Sequence, residues 1–177
     1  MQKKTIWEMG RVTPEEFRET EKIPLAIVLD NVRSLNNIGS VFRTSDAFRV
    51  ERVILCGISA TPPSPEIHKT ALGAEDTVRW EYYADTLDAV GALRGEGYTI
   101  CSLELAHDSV PLDKFRPEAG KHYAVIAGHE VNGVRQDVVD ASDLCLEIPQ
   151  EGTKHSLNVA VSTALAIWHF YLYLRDR

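Results

Sequence analysis

Short apolar runs recur along the chain: LAIVLD at residues 25–30, RVILC at 52–56, YTICSLEL at 98–105, YAVIAG at 123–128 and LCLEI at 144–148. Each has strand length and is rich in β-branched residues. Near-continuous hydrophobicity is what a strand covered on both faces requires. Helical spacing fills the intervals. From Ile38, the residues Val41, Phe42, Ser45 and Phe48 share a face, with Asn36 or Asn37 available as a cap. Over residues 85–94, Leu87, Val90 and Leu93 come together. The longest helical candidate is 156–174, and Leu157, Val161, Leu165, Trp168, Tyr171 and Leu172 make it too apolar for a lone surface helix. Strands alternating with helices predict an α/β fold, a mainly parallel sheet flanked by helices. The proline-rich stretch CGISATPPSPEIH at 56–68 is expected as a surface loop within that fold.

The chain of 177 residues, 44% hydrophobic and 25% charged, is long enough for one sizeable core, so one domain over residues 25–177 behind a polar arm at 1–24 is expected. No run of apolar residues is long enough to cross a membrane, and the start MQKKTIWEMGRVTPEEF lacks a secretory signal, so a cytoplasmic protein with no membrane contact is expected. Cys56, Cys101 and Cys145 are widely separated within apolar runs, which predicts buried thiols and no metal. A net charge of -7 opposes general nucleic-acid binding, so any RNA site must be a local basic patch.

Several common chemistries are excluded by their missing motifs. Gly95-Glu96-Gly97 precedes a strand instead of opening a helix, which makes it a turn and not a dinucleotide loop. There is no phosphate-binding loop ending in Gly-Lys-Ser/Thr and no nucleophile elbow. His129-Glu130 begins like a zinc-protease motif, but Gly133 occupies the position of the second histidine.

Three segments remain to be explained. In residues 29–48 a strand passes through a polar loop into a helix carrying Asn37, Gly39 and Arg43. Gly39 there costs about 1 kcal/mol of helix stability relative to Ala, which implies that something approaches closely. In residues 123–134 a buried strand runs out into Gly128, Glu130 and Gly133, at the strand end where open parallel sheets bind ligands. In residues 148–166 a strand gives way to a polar loop and the long helix, with Ser156 as its natural cap and Asn158, a poor helix interior residue, in its first turn.

Together and in this order, these segments resemble the three motifs of the SpoU (TrmH-like) family of SPOUT RNA ribose 2′-O-methyltransferases. The matches are Asn37, Gly39 and Arg43 in the first, Gly128, Glu130 and Gly133 in the second, and Pro149, Ser156, Leu157 and Asn158 in the third. The resemblance runs from about residue 25 to the C-terminus. It implies a C-terminal deep trefoil knot and a homodimer whose face includes the last helix. It also implies S-adenosylmethionine as methyl donor, leaving S-adenosylhomocysteine, with Leu103, Gly128, Ile148, Pro149 and Leu157 around it. Arg43 would anchor phosphate and stabilise the emerging alkoxide, because a guanidinium is a poor base. Asn37, Glu130, Ser156 and Asn158 would orient the site, and Arg33, Arg43, Lys69 and Lys154 would contact RNA, either tRNA or rRNA. A base methyltransferase with the same knot, or a non-catalytic RNA-binding protein, are the alternatives.

Overall fold

The apolar run at 25–30 becomes the centre of the sheet. In the computed structural model, which describes every residue except 6, 7, 9, 11, 176 and 177, all eight residues of β1 (Ile23–Asp30) are buried. Alternate side chains of β1 serve opposite cores. Leu25, Ile27 and Leu29 join one cluster with Ile38, Val41, Phe42, Ile167 and Phe170, while Ala26 and Val28 join another with Ala89, Val90, Leu93 and Val138.

The remaining strands are β2 (Val50–Cys56), β3 (Arg79–Tyr83), β4 (Tyr98–Leu103), β5 (Val110–Pro111), β6 (His122–Ala127) and β7 (Leu144–Glu147), in the order β3-β2-β1-β6-β4-β7-β5. Every strand pair is parallel. The helices are α1 (Pro14–Glu19), α2 (Leu35–Ala47), α3 (Pro65–Ala71), α4 (Ala74–Thr77), α5 (Thr86–Gly95), α6 (Gln136–Asp140) and α7 (Val159–Leu174). Because all strands run the same way, the ends of β1, β4, β6 and β7 feed their following loops to one edge of the sheet.

Several local expectations are corrected. The cap of α2 is Ser34, which accepts from the amide of Asn37 at 3.3 Å, so Asn36 and Asn37 lie inside the first turn. The cap of α7 is Asn158, whose Oδ1 accepts from the amides of Ala160 and Val161; Ser156 lies in the preceding loop and the helix starts three residues later than expected. The stretch 56–68 is a loop only in its first part, because Ser64 caps α3 and Pro65 suits a first helical turn. The arm is not wholly peripheral: a Thr13–Glu16 capping box starts α1, which delivers Phe17 into the core at 6% exposure.

Gly39 is explained by packing. A Cβ there would collide with the carbonyl of Ile67 and the hydroxyl of Thr70, so α3 crosses α2 at backbone contact and no ligand need be invoked. Helix α7 buries Thr163, Ala166, Ile167, Phe170 and Leu174 against the sheet. Its other side leaves Val161, Leu165, Trp168 and Leu172 between 43% and 50% exposed, an apolar stripe that solvent alone does not account for. No helix among the described residues is long and apolar enough to cross a membrane.

Candidate active site

The loop after β6 closes on itself before it does anything else. His129 and Gly133 exchange both backbone hydrogen bonds, at 3.0 and 2.9 Å, and Gly133 adopts the left-handed φ of 68° that such a turn needs. A Cβ on Gly128 would occupy the backbone of Gly133 and Val134, which is why that position has none. The closed turn projects Glu130 toward the start of α2.

There Glu130 is a three-donor acceptor. Its carboxylate takes the amide of Arg33 at 3.0 Å, the amide of Ser34 at 2.8 Å and the Asn37 side-chain amide at 3.1 Å. Negative charge at a helix N-terminus is favourable in itself. Burial opposes ionisation of Glu130, but the N–H groups of Arg33, Ser34, its own backbone and Asn37 outweigh it and hold the carboxyl below the ordinary value of 4.5. Asn37 passes the connection on: its Oδ1 accepts from Asn158 Nδ2 at 3.1 Å, and the other end of the Asn158 side chain caps α7. The three motif segments, distant in sequence, are thus one hydrogen-bonded chain.

Beside this chain lies a cleft of about 300 Å3. The ends of β4 and β6 and the loop from β7 to α7 line it with Leu103, Gly128, Ile148 and Leu157, four of the five residues expected around a methyl donor. Pro149, the fifth, is exposed and does not line it, although its neighbours Ile148 and Gln150 do. Ser156 lines the cleft without a hydrogen bond to any described residue. Glu130 reaches both the cleft and the chain.

The expected RNA contacts divide. Arg33, Arg43 and Lys154 are exposed and form no hydrogen bond or ion pair through their side chains with described residues, whereas Lys69 is held by Glu66 at 2.7 Å. Arg43 does not line the cleft of its own chain. No group of three or more potential metal ligands occurs among the described residues.

Sequence reasoning passed over residues that hold the turn's exit. Glu104, at the end of β4, accepts from the amide of Val134 at 2.9 Å. Asp30 is fully buried and accepts from Arg135 N at 2.9 Å, Asn31 Nδ2 at 2.8 Å and Thr86 Oγ1 at 2.5 Å. A carboxylate closing an apolar strand run was the available signal, since an acid there needs donors within the fold.

A family model described as the SpoU rRNA Methylase family matches residues 24–168. The chain is 32% identical over 151 residues to the 23S rRNA (guanosine-2′-O-)-methyltransferase RlmB of Nitrosomonas europaea, covering 83% of this chain and 55% of that protein. This chain therefore spans little more than half of that relative's length. The solved structure of an AdoMet-bound rRNA methyltransferase from Sinorhizobium meliloti superposes with a TM-score of 0.80 at 26% identity, over 93% of this chain and 62% of that one. A protein studied for the 2-OH methylation of C/U34 on tRNA shares the fold at a TM-score of 0.76 and 24% identity, over 86% of this chain and 97% of that one.

Proposed function

This chain belongs to the SpoU rRNA methylase family, and from that premise we propose that it transfers a methyl group from S-adenosylmethionine to a ribose 2′-hydroxyl of tRNA or rRNA, in the cytoplasm and as a homodimer. The observation that carries the reading is the chain Asn158–Asn37–Glu130, which joins all three motif segments beside a cleft lined by Leu103, Gly128, Ile148 and Leu157.

The cleft suits the donor. Its volume is at the lower end of small-molecule sites, and apolar Leu103, Ala127, Ile148, Leu157 and Val159 offer a slot for a flat base, with the carboxylates of Glu104 and Glu130 at hand for cationic groups. Bound there, S-adenosylmethionine supplies an electrophilic methyl group on a sulfonium sulfur. The chain's residues must hold the ribose oxygen in line with that carbon, and the hydrogen bonds that join the three loops support that positioning. As the ribose oxygen takes the methyl carbon and the sulfonium leaves as the neutral thioether, the hydroxyl proton would pass to water, and the negative charge developing on oxygen would have to be met. Arg43, an uncommitted guanidinium, is suited to meet it and to anchor a neighbouring phosphate.

Arg43 is assigned to the partner's cleft, which accords with its absence from its own. The apolar stripe of α7, continued by Leu157 at the cleft rim, supports a twofold contact of this kind. The family's knotted threading of the segment 148–174, and a catalytic domain beginning near residue 25, are part of the same proposal.

The test is transfer of labelled methyl groups from S-adenosylmethionine to separate pools of unmodified tRNA and rRNA, followed by nucleoside mass spectrometry. A 2′-O-methylnucleoside is expected, and the labelled pool names the substrate. A base-methylated product, or no label in either pool, overturns the reading.

A further inference from the structure

The turn that carries Glu130 is filled from within by a histidine. His129 Nδ1 accepts from the backbone amide of Val131 at 3.0 Å and from that of Asn132 at 3.3 Å. Two N–H groups directed at one ring nitrogen require that nitrogen to be unprotonated, with the ring's hydrogen on Nε2. The bonds between His129 and Gly133 close the base of the turn, and the ring satisfies the amides at its tip, where Val131 is 81% exposed. Nothing else among the described residues accepts from these two amides.

We propose that His129 is a positioning residue for the methyl-transfer site: unprotonated Nδ1 holds the turn that delivers Glu130 to the start of α2, and protonation of that nitrogen releases it. An imidazolium has no acceptor. Its Nδ1–H would face two N–H donors, so the ring must swing away and leave the amides of Val131 and Asn132 to solvent. The His129–Gly133 backbone bonds remain, but the tip of the turn loses its internal support, which loosens the placement of Glu130 against Arg33, Ser34 and Asn37. The site is thereby coupled to pH through a residue that need not touch the reacting atoms.

His129 itself lines the cleft, and the other titratable groups that line it are Glu104 from the end of β4, Glu130 from the turn and His155 from the loop before α7. Helix α7 contributes Val159 and Ser162, which carry no charge, and the start of α2 contributes its amides through Glu130. All of these other groups are kept in the substitution that isolates the ring. In His129→Asn the side-chain oxygen accepts the amides two and three residues on, the Asx-turn arrangement, and an amide does not titrate.

The experiment compares the full-length wild type, His129→Asn and His129→Ala by methyl transfer from about pH 8 to about pH 5.5, and by 15N-resolved backbone amide shifts over the same range. The expected result is a severalfold loss of wild-type kcat at the acid end. His129→Asn should keep near-wild-type kcat at neutral pH and lack that limb. His129→Ala should have a lowered kcat throughout, with the KM for RNA little changed. The amides of Val131 and Asn132 should titrate together with the ring in the wild type only.

Identical pH profiles for wild type and His129→Asn overturn the proposal, as do amides of Val131 and Asn132 that ignore the ring's titration. If His129→Ala fails to fold, the Asn variant still decides. The activity arm rests on the methyltransferase reading. Should no RNA be labelled, that reading fails while the amide titration still accepts or rejects the turn.

Discussion

Replacing Glu130 by Gln tests whether the motif chain positions the site or merely decorates it. Both carboxylate oxygens are engaged: Oε1 takes the Ser34 amide and Asn37 Nδ2, and Oε2 takes the Arg33 amide. A glutamine in its better orientation keeps the two bonds at Oε1 without charge assistance and turns an NH2 toward the amide of Arg33. Hydrogen bonds to charged groups contribute about 1.5–3 kcal/mol each. Because Glu130 is only half-buried, water can take the Arg33 amide and recover part of that, leaving a loss of about 1.5–2.5 kcal/mol. Expressed in the transition state, this is a fall in kcat of about ten- to seventyfold. The assay is steady-state methyl transfer, with donor affinity by calorimetry and unfolding by thermal scan as controls. The pH sign follows from the lowered carboxyl: its contribution is fully present above 4.5 and is lost only as pH falls through the depressed value. Glu130 therefore produces no activity loss between about pH 8 and about pH 5.5, the range over which the His129 variants are compared. A Gln variant with kcat within about twofold of wild type refutes the positioning role.

Arg43→Ala should reduce transfer by at least about a hundredfold while donor affinity by calorimetry stays nearly constant; wild-type-like turnover would sink the assignment. If the proposed dimer forms through the α7 stripe, Leu165→Glu should leave an inactive monomer by sedimentation, since burying a leucine in that contact contributes about 1.5–3 kcal/mol and a twofold contact counts it twice. An active monomer rules out a site shared between protomers. Gly39→Ala gains about 1 kcal/mol of helix propensity, but collision with the Ile67 carbonyl should outweigh it and lower stability by a net of about 1–3 kcal/mol. A melting temperature at or above wild type would refute the backbone contact between α2 and α3.

The strands that were legible in the sequence are the ones buried on both faces, because there hydrophobicity must be continuous. Strand β3 escaped notice because it lies at the sheet edge with Arg79 and Tyr82 exposed, and RWEYY reads as polar. Strand β5 is two residues long and rests on β7 alone. The caps were misread for a shared reason. Ser34, Asn36 and Asn37 stand within a few positions of each other at the start of α2, as do Ser156 and Asn158 at the start of α7, and local propensity does not say which one turns its oxygen back on the amides. That choice is made by tertiary contacts: Glu130 engages the Asn37 side chain, leaving the cap of α2 to Ser34, and the same Asn37 draws Asn158 to the start of α7.

The site was legible as residue identities and illegible as a network. Asn37, Glu130 and Asn158 stood out singly, but that they bond in series depends on loops 93 and 121 residues apart meeting at one sheet edge, which no local pattern encodes. His129 was set aside when the zinc spacing failed, although its backbone-facing nitrogen has nothing to do with metals. Charge shows the same limit from the other side. The balance of -7 argues against a polyanionic partner only if charges act as a sum. In the fold, Arg52, Arg79, Arg94 and Arg135 are each held by a carboxylate, and their fields are largely cancelled where they stand. Arg33, at the loop whose amides meet Glu130, Arg43 on the helix that follows and Lys154 in the loop before α7 are held by none among the described residues. Arg49 and Arg116, away from the site, also have no carboxylate partner among the described residues, so uncompensated positive charge is present on the segments that carry the site without being confined to them; under the proposed function, Arg33, Arg43 and Lys154 are where an RNA phosphate would meet it beside the cleft.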